Sequence, residues 1–338
     1  MNTTEKAAAE STPRASNAMR TMDRLSGWPL KAGVVALLFA LPFIPPFDRE
    51  DLLLYLIGAA LMAAQAIAFD FTAGYINVVN FGFAAFVGLG GYTSALLAVR
   101  LGVSSWIGMF VGAAAAALVG FFTGALTLRL RGIYAAVMAW FVGLALLGLT
   151  RNLTDLTRGA RGLNVPTLLE TANNRPYYYI IVMMMLITFV SLRYIINSHV
   201  GLAFRAIGQN IEAARASGVD PTRYRVLNFT VSCAFAGWLG GFYAHYYGIL
   251  TPDVMNTSHT IEVLAAAYIG GRGSLWGGAL AAFPLIFFRE WLRTSLVDLP
   301  GLNLVIYGLL LILVMMYYPG GIAELLRSIQ RRLKRPST

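Results

Sequence analysis

An all-α, polytopic membrane protein of about ten transmembrane helices, some of them broken or re-entrant, is the fold the sequence predicts. Three observations predict it. Hydrophobic residues make up 57% and charged residues 12% of the 338, which is more apolar surface than one soluble domain can hide. Apolar runs approaching the ~20 residues that cross a bilayer recur along the chain. Those runs are continuous and rich in Ala, Leu and Gly, whereas a barrel would alternate apolar and polar residues over ~10 positions.

Residues 1–27 are polar, rich in Ala, Ser and Thr, and lack an apolar core, so they are expected as a disordered cytoplasmic tail rather than a cleaved signal peptide. Membrane segments are expected near 30–47, 51–70, 81–99, 104–128, 132–150, 177–196, 226–249, 260–271, 274–292 and 302–318. The 260–271 piece is too short to span. Segment 81–99 follows the polar stretch Thr72 to Asn80 and is glycine-rich, so these two are the candidates for broken or re-entrant helices. With the N-terminus inside, 18 Lys and Arg residues fall on that side and 8 on the other, which puts both termini in the cytoplasm. The loop 152–176 is then the largest external feature, and Arg158, Gly159, Arg161, Gly162, Asn164 and Pro166 mark it as irregular. Residues 321–338 form a basic cytoplasmic tail against the anionic inner leaflet, and 28–320 is one transmembrane domain.

The net charge of +10 does not indicate a nucleic-acid partner, because the basic residues are scattered between apolar segments. The single cysteine, Cys233, excludes a disulfide within the chain, and His199, His245 and His259 have no metal-site spacing, so no metal is expected. His245 is expected to be hydrogen-bonded among Tyr243, Tyr246 and Tyr247. A carboxylate at the bilayer centre costs about 2.5–3.5 kcal/mol unless it meets a partner or cavity. Asp70 and Glu290 lie near span ends, where interfacial solvation is expected, and Glu262 is a candidate for a transport path. The polar break carrying Tyr75, Asn77 and Asn80 has two readings: it lines a substrate path with amides and backbone, or it only ends one span and caps the next. Gly88, Gly90, Gly91, Gly237, Gly240 and Gly241 are expected to permit close helix packing.

The segment 197–225 carries its own helix punctuation. Phe204, Ile207, Ile211 and Ala214 share one helical face, with Arg205, Gln209, Glu212 and Arg215 on the other, which predicts an amphipathic helix of about four turns. Gly218 stops it, and Asp220-Pro221 starts the next helix as N-cap and first helical residue. Such a pinned helix serves either to receive a push from a cytoplasmic partner or simply to rest on lipid.

Here a resemblance enters. Glu212-Ala213-Ala214-Arg215-Ala216-Ser217-Gly218 resembles the Glu-Ala-Ala…Gly signature of membrane subunits of bacterial ABC importers, although the hydrophobic-Leu-Pro ending of the general motif is absent. Three further blocks extend the likeness from about residue 50 to 320: Gly74-Tyr75 through Asn80-Phe81-Gly82 to Gly90-Gly91-Tyr92-Thr93, then Leu128-Arg129-Leu130-Arg131-Gly132-Ile133-Tyr134, then Gly270-Gly271-Arg272-Gly273-Ser274-Leu275-Trp276-Gly277-Gly278. In this order they resemble the LivM group of branched-chain amino-acid permeases. Trp140-Phe141-Val142 and Arg272 depart from that group's pattern.

The resemblance implies a permease subunit without catalytic residues, in the bacterial inner membrane. It implies an ATPase-coupling site at Arg205, Glu212, Ala213, Ala214 and Gly218. The implied partners are a second, LivH-like permease, two LivG/LivF-like ATP-binding subunits that carry ATP and Mg, and a periplasmic binding protein. In keeping with this, no Gly-Lys-Ser/Thr phosphate loop occurs in the sequence, and its three lysines, Lys6, Lys31 and Lys334, follow no glycine. Two other classes remain for comparison. A secondary transporter would use Asp70 or Glu262 as its coupling carboxylate. An intramembrane enzyme would need a constellation of nucleophile, base or metal that the spacings do not supply.

Overall fold

The computed structural model describes residues 36–44, 49–127, 133–171, 173–296 and 302–317, with isolated positions at 33 and 321–322. The predicted tail 1–27, the predicted tail 321–338 apart from 321–322, part of segment 30–47 and the block 128–132 lie outside the described residues. The chain divides into two units, 1–53 and 54–338. In the first, a 3-10 turn runs over Leu41–Phe43; the second holds the packing described below.

Twelve helices follow among the described residues: α1 Glu50–Ala73, α2 Phe83–Leu101, α3 Ser105–Thr127, α4 Ile133–Asn152, α5 Thr154–Thr157, α6 Asn174–Asn197, α7 His199–Gln209, α8 Ile211–Ala216, α9 Pro221–Tyr247, α10 Thr257–Gly270, α11 Trp276–Ser295 and α12 Leu302–Tyr317. Nine of the ten predicted segments thus coincide with a helix. Six of these, α1, α2, α3, α4, α6 and α9, are long and apolar enough to cross a membrane. α10 and α12 are shorter, with 14 and 16 residues, and α11 carries Arg289, Glu290 and Arg293 in its last turns. Segment 81–99, one of the two candidates for a broken or re-entrant helix, is unbroken: α2 is continuous, and the irregular backbone lies before it, over 74–82. Among the described residues the one sheet is a pair of two-residue strands, β1 Leu163–Asn164 antiparallel to β2 Ile249–Leu250, which ties the 153–173 loop to the α9–α10 connection.

Burial separates core helices from helices with exposed apolar faces. In the most apolar stretch of α1, 78% is buried against 28% in α4. α3 and α4 expose large apolar residues such as Phe110, Phe122, Leu126, Phe141 and Leu149, a pattern unfavourable in water and suited to hydrocarbon.

Three glycines let α2, α3 and α9 close on one another. A Cβ on Gly90 would strike the backbone of Gly237, one on Gly112 would strike the Gly90 carbonyl, and one on Gly237 would meet Ala116 and Gly112. Gly240 repeats the contact one turn on, against Val87. The predicted packing role holds for Gly90, Gly237 and Gly240, and Gly112 joins them, since backbones this near leave no room for a side chain.

α1 is fastened by polar contacts as well. Asn228 Nδ2 donates to the Phe71 carbonyl at 2.9 Å and Ser232 Oγ to the Ala68 carbonyl at 2.7 Å, both from α9. Rings add edge-on contacts, Phe69 to Phe83 of α2 and Phe71 to Phe204 of α7.

Candidate functional site

The 197–225 segment contains one more break than its periodicity predicts. Asn210 is extended at φ −155°, and its side chain accepts from the amides of Glu212 and Ala213 at 3.0 and 3.1 Å, so it caps a separate helix, α8. The expected four-turn helix is therefore two helices, α7 and α8. Gly218 follows α8 at φ +82°. Its amide donates to Arg215 O and the Val219 amide to Ala214 O, each at 3.0 Å, the paired bonds of a left-handed C-terminal stop. Asp220 then accepts from the Thr222 and Arg223 amides at 2.9 and 3.3 Å, with Pro221 in the first helical position of α9.

The two faces sort as expected. Phe204, Ile207 and Ala214 are buried, whereas Arg205, Gln209, Glu212, Ala213 and Arg215 are exposed. Glu212 and Arg215 pair at 3.4 Å with both side chains more than half exposed, so the pair contributes little to stability and remains open to exchange.

This segment reaches the rest of the bundle through the break after α1. Gly208 lies so near Tyr75 that a Cβ there would strike the Tyr75 carbonyl. Asn77, left-handed at φ +56°, donates from Nδ2 to the Gly208 carbonyl and accepts at Oδ1 from Arg272 Nη2. Arg272 Nε donates to the Ala73 carbonyl at 2.9 Å, and its guanidinium lies 5.6 Å from the Tyr268 ring centre. Asp70 differs from expectation. It is 1% exposed and accepts from the Gly273 and Leu275 amides at 2.8 and 2.9 Å, so the α10–α11 turn solvates it in place of the interface. Asn80 is also buried. Its Oδ1 accepts from the Gly82 amide at 3.0 Å ahead of α2, and its Nδ2 faces Cys233 Sγ at 3.9 Å.

A family model described as "Branched-chain amino acid transport system / permease component" matches residues 52–315. The chain belongs to that family. It is of the LivM type: it is 28% identical over 290 residues to the high-affinity branched-chain amino acid permease protein LivM of Escherichia coli strain K12, covering 77% of this chain and 67% of the relative. The LivH permease protein of the same strain is 24% identical, over 77% of this chain and 90% of its own. The autoinducer 2 import permease protein LsrC of Enterobacter sp. strain 638 is 30% identical over 72% of this chain and 74% of its own. No solved structure matches.

In this permease Glu262 is not isolated. Arg289 Nη1 donates to it at 2.7 Å, joining α10 to α11, while Arg289 Nη2 and Arg293 Nε reach Glu290 at 3.2 and 2.8 Å. The Glu290 side chain, 11% exposed, is thus held by arginines rather than by interfacial water. His245 is hydrogen-bonded as expected but with other partners, Ser94 Oγ at 2.8 Å and the Pro166 carbonyl at 2.7 Å. Among the described residues no group of three or more His, Cys, Asp and Glu is placed to hold a metal.

Two features escaped sequence reasoning. The N-capping Asn210 is a recognised helix-start type, but it sits inside a periodic apolar pattern that runs through it. Arg272 was visible as a departure from the family pattern, and its partner Asn77 is 195 residues away.

Proposed function

We infer that the chain is the membrane-spanning permease subunit of an ABC importer that moves branched-chain amino acids, or similar small polar solutes, across the bacterial inner membrane. Both termini are cytoplasmic in this reading. A LivH-like permease completes the pathway, a periplasmic binding protein delivers cargo to the face carrying 152–176, and two LivG/LivF-like subunits hydrolyse ATP with Mg. This chain contributes no catalytic residue.

The observation that carries the reading is α8, a short helix with Glu212 and Ala213 exposed on one side and Ala214 buried on the other, following the exposed Arg205 of α7. It is fixed between the Asn210 cap and the Gly218 stop. A rigid, exposed helix between two stops can dock in a groove of an ATPase and transmit its closure, and each change of state then has differential contacts to drive it. The same end of the chain's turns carries Arg205, Arg215, Arg223 and Arg272, which supports a cytoplasmic placement.

The secondary-transporter alternative needs a carboxylate free to bind a coupling ion. Asp70 already accepts two backbone amides and Glu262 pairs with Arg289, which favours the ATP-driven reading.

The test is leucine uptake by vesicles holding the assembled transporter. Gly218→Trp and Glu212→Ala variants should assemble in the membrane and lose ATP-dependent uptake by at least about tenfold. Full uptake by a well-expressed Gly218→Trp variant overturns the docking role.

A further inference from the structure

We propose that Asn77 and Arg272 act as positioning residues, a relay that carries displacement of the α7–α8 segment into α1 and the α10–α11 turn. The proposal rests on the docking role just assigned and names what lies behind the docking helix.

Three helices end at one place. α1 ends at Ala73, α7 at Gln209 and α10 at Gly270, and the last carbonyls of a helix have no partner within it. Asn77 supplies one to α7 through Gly208, and Arg272 supplies one to α1 through Ala73. The Arg272 cation thus sits where negative helix ends converge, a favourable position for it. Because Asn77 uses its donor on α7 and its acceptor on Arg272, one amide links both. A shift of α7 along its axis must either drag Arg272 or break this bridge.

Beyond Arg272 the connection becomes stiff. Gly273 and Leu275 are held by the buried Asp70 carboxylate, and a Cβ on Gly74 would stand 2.5 Å from the Gly273 nitrogen. Leu275, immediately before α11, has a positive φ of +57° with ψ −51°, a conformation costly for leucine that the surrounding bonds must enforce. Asn77 and Arg272 are themselves exposed, so their bridge is the weak link ahead of a rigid one and can break and reform within a cycle.

The experiment measures coupling rather than contact. In the full chain in lipid nanodiscs, hydrogen exchange of the Gly273 and Leu275 amides is followed while α8 is loosened by Asn210→Ala. The relay requires Asn210→Ala to speed exchange at these amides about threefold with Arg272 present and to have no effect in an Arg272→Ala background. Asn77→Ala should abolish the effect as well, while leaving the Arg272 bond to Ala73 intact, and it serves if Arg272→Ala does not fold. Equal acceleration in all backgrounds, or none with Arg272 and Asn77 in place, overturns the relay. Leucine imported per ATP hydrolysed by the reconstituted transporter supplies the second readout, with about a tenfold fall expected for either variant. A fall caused by loss of the ATPase subunits from the purified complex would mean docking rather than relay, and would overturn it too. Exchange coupling in a wild-type protein that imports no leucine would remove the functional reading and leave the relay standing.

Discussion

The meeting of α2, α3 and α9 and the meeting of α1, α7 and the α10–α11 turn both use close glycine contacts, and the second adds side-chain hydrogen bonds to helix ends. At the first, Gly90, Gly112, Gly237 and Gly240 bring backbones together with no side chain between them. At the second, helix ends are joined by side-chain hydrogen bonds from Asp70, Asn77 and Arg272. Backbone-to-backbone packing has few alternative arrangements, because no rotamer can change to accommodate a shift. Hydrogen bonds at exposed helix ends can exchange partners. The difference fits a rigid frame at the first region, and the proposed relay uses the exposed Asn77–Arg272 bridge of the second.

The largest effect should come from the glycine meeting. Gly90→Leu forces a branched side chain into the Gly237 backbone, and overpacking of this kind costs about 1–3 kcal/mol even where neighbours can yield. Loss of the monodisperse folded protein on size exclusion in detergent is expected, together with loss of uptake. A Gly90→Leu protein that melts like the wild type would break the division between frame and relay.

Asp70→Ala sharpens the same division from the other side. It leaves the Gly273 and Leu275 amides without their acceptor, at about 1–3 kcal/mol for each buried group left unsatisfied. The chain should still insert, with a lowered thermal midpoint and a fall in ATP-dependent uptake beyond any fall in yield. An unchanged midpoint would mean that the turn is not held by this carboxylate. The smallest effect is expected at Arg151→Ala. Its ion pair with Asp253 is 3.2 Å long with side chains 49% and 72% exposed, and such pairs contribute about 0–1 kcal/mol. Thermal unfolding should hardly move, and a large shift would show that a third fastening exists away from both regions.

What the sequence makes legible here is local. The Gly218 stop, the Asp220-Pro221 start and the shortness of α10 follow from residue types next to one another, and each is present in the structure. Asn210 was harder, because an apolar face running from Phe204 through Ile207 to Ala214 continues across it, and a capping asparagine looks the same as a solvated one. The partners of Asp70 are the opposite case. The carboxylate lies 203 and 205 residues from the amides it accepts, and no periodicity or motif spans that distance. His245 shows the same limit: its hydrogen bonding was foreseeable from burial of a polar ring, its attachment to Ser94 and Pro166 was not.

The glycine meeting bears on how this permease can change over generations. Every replacement of glycine adds at least one carbon, so Gly90, Gly237 and Gly240 have no smaller or equal-sized neighbour in sequence space. Drift must route around them through the exposed apolar surfaces of α3 and α4, where one apolar residue substitutes for another at little cost. New cargoes and new partners are therefore expected to be accommodated by mutation elsewhere, on a frame whose central crossing has no neutral variants.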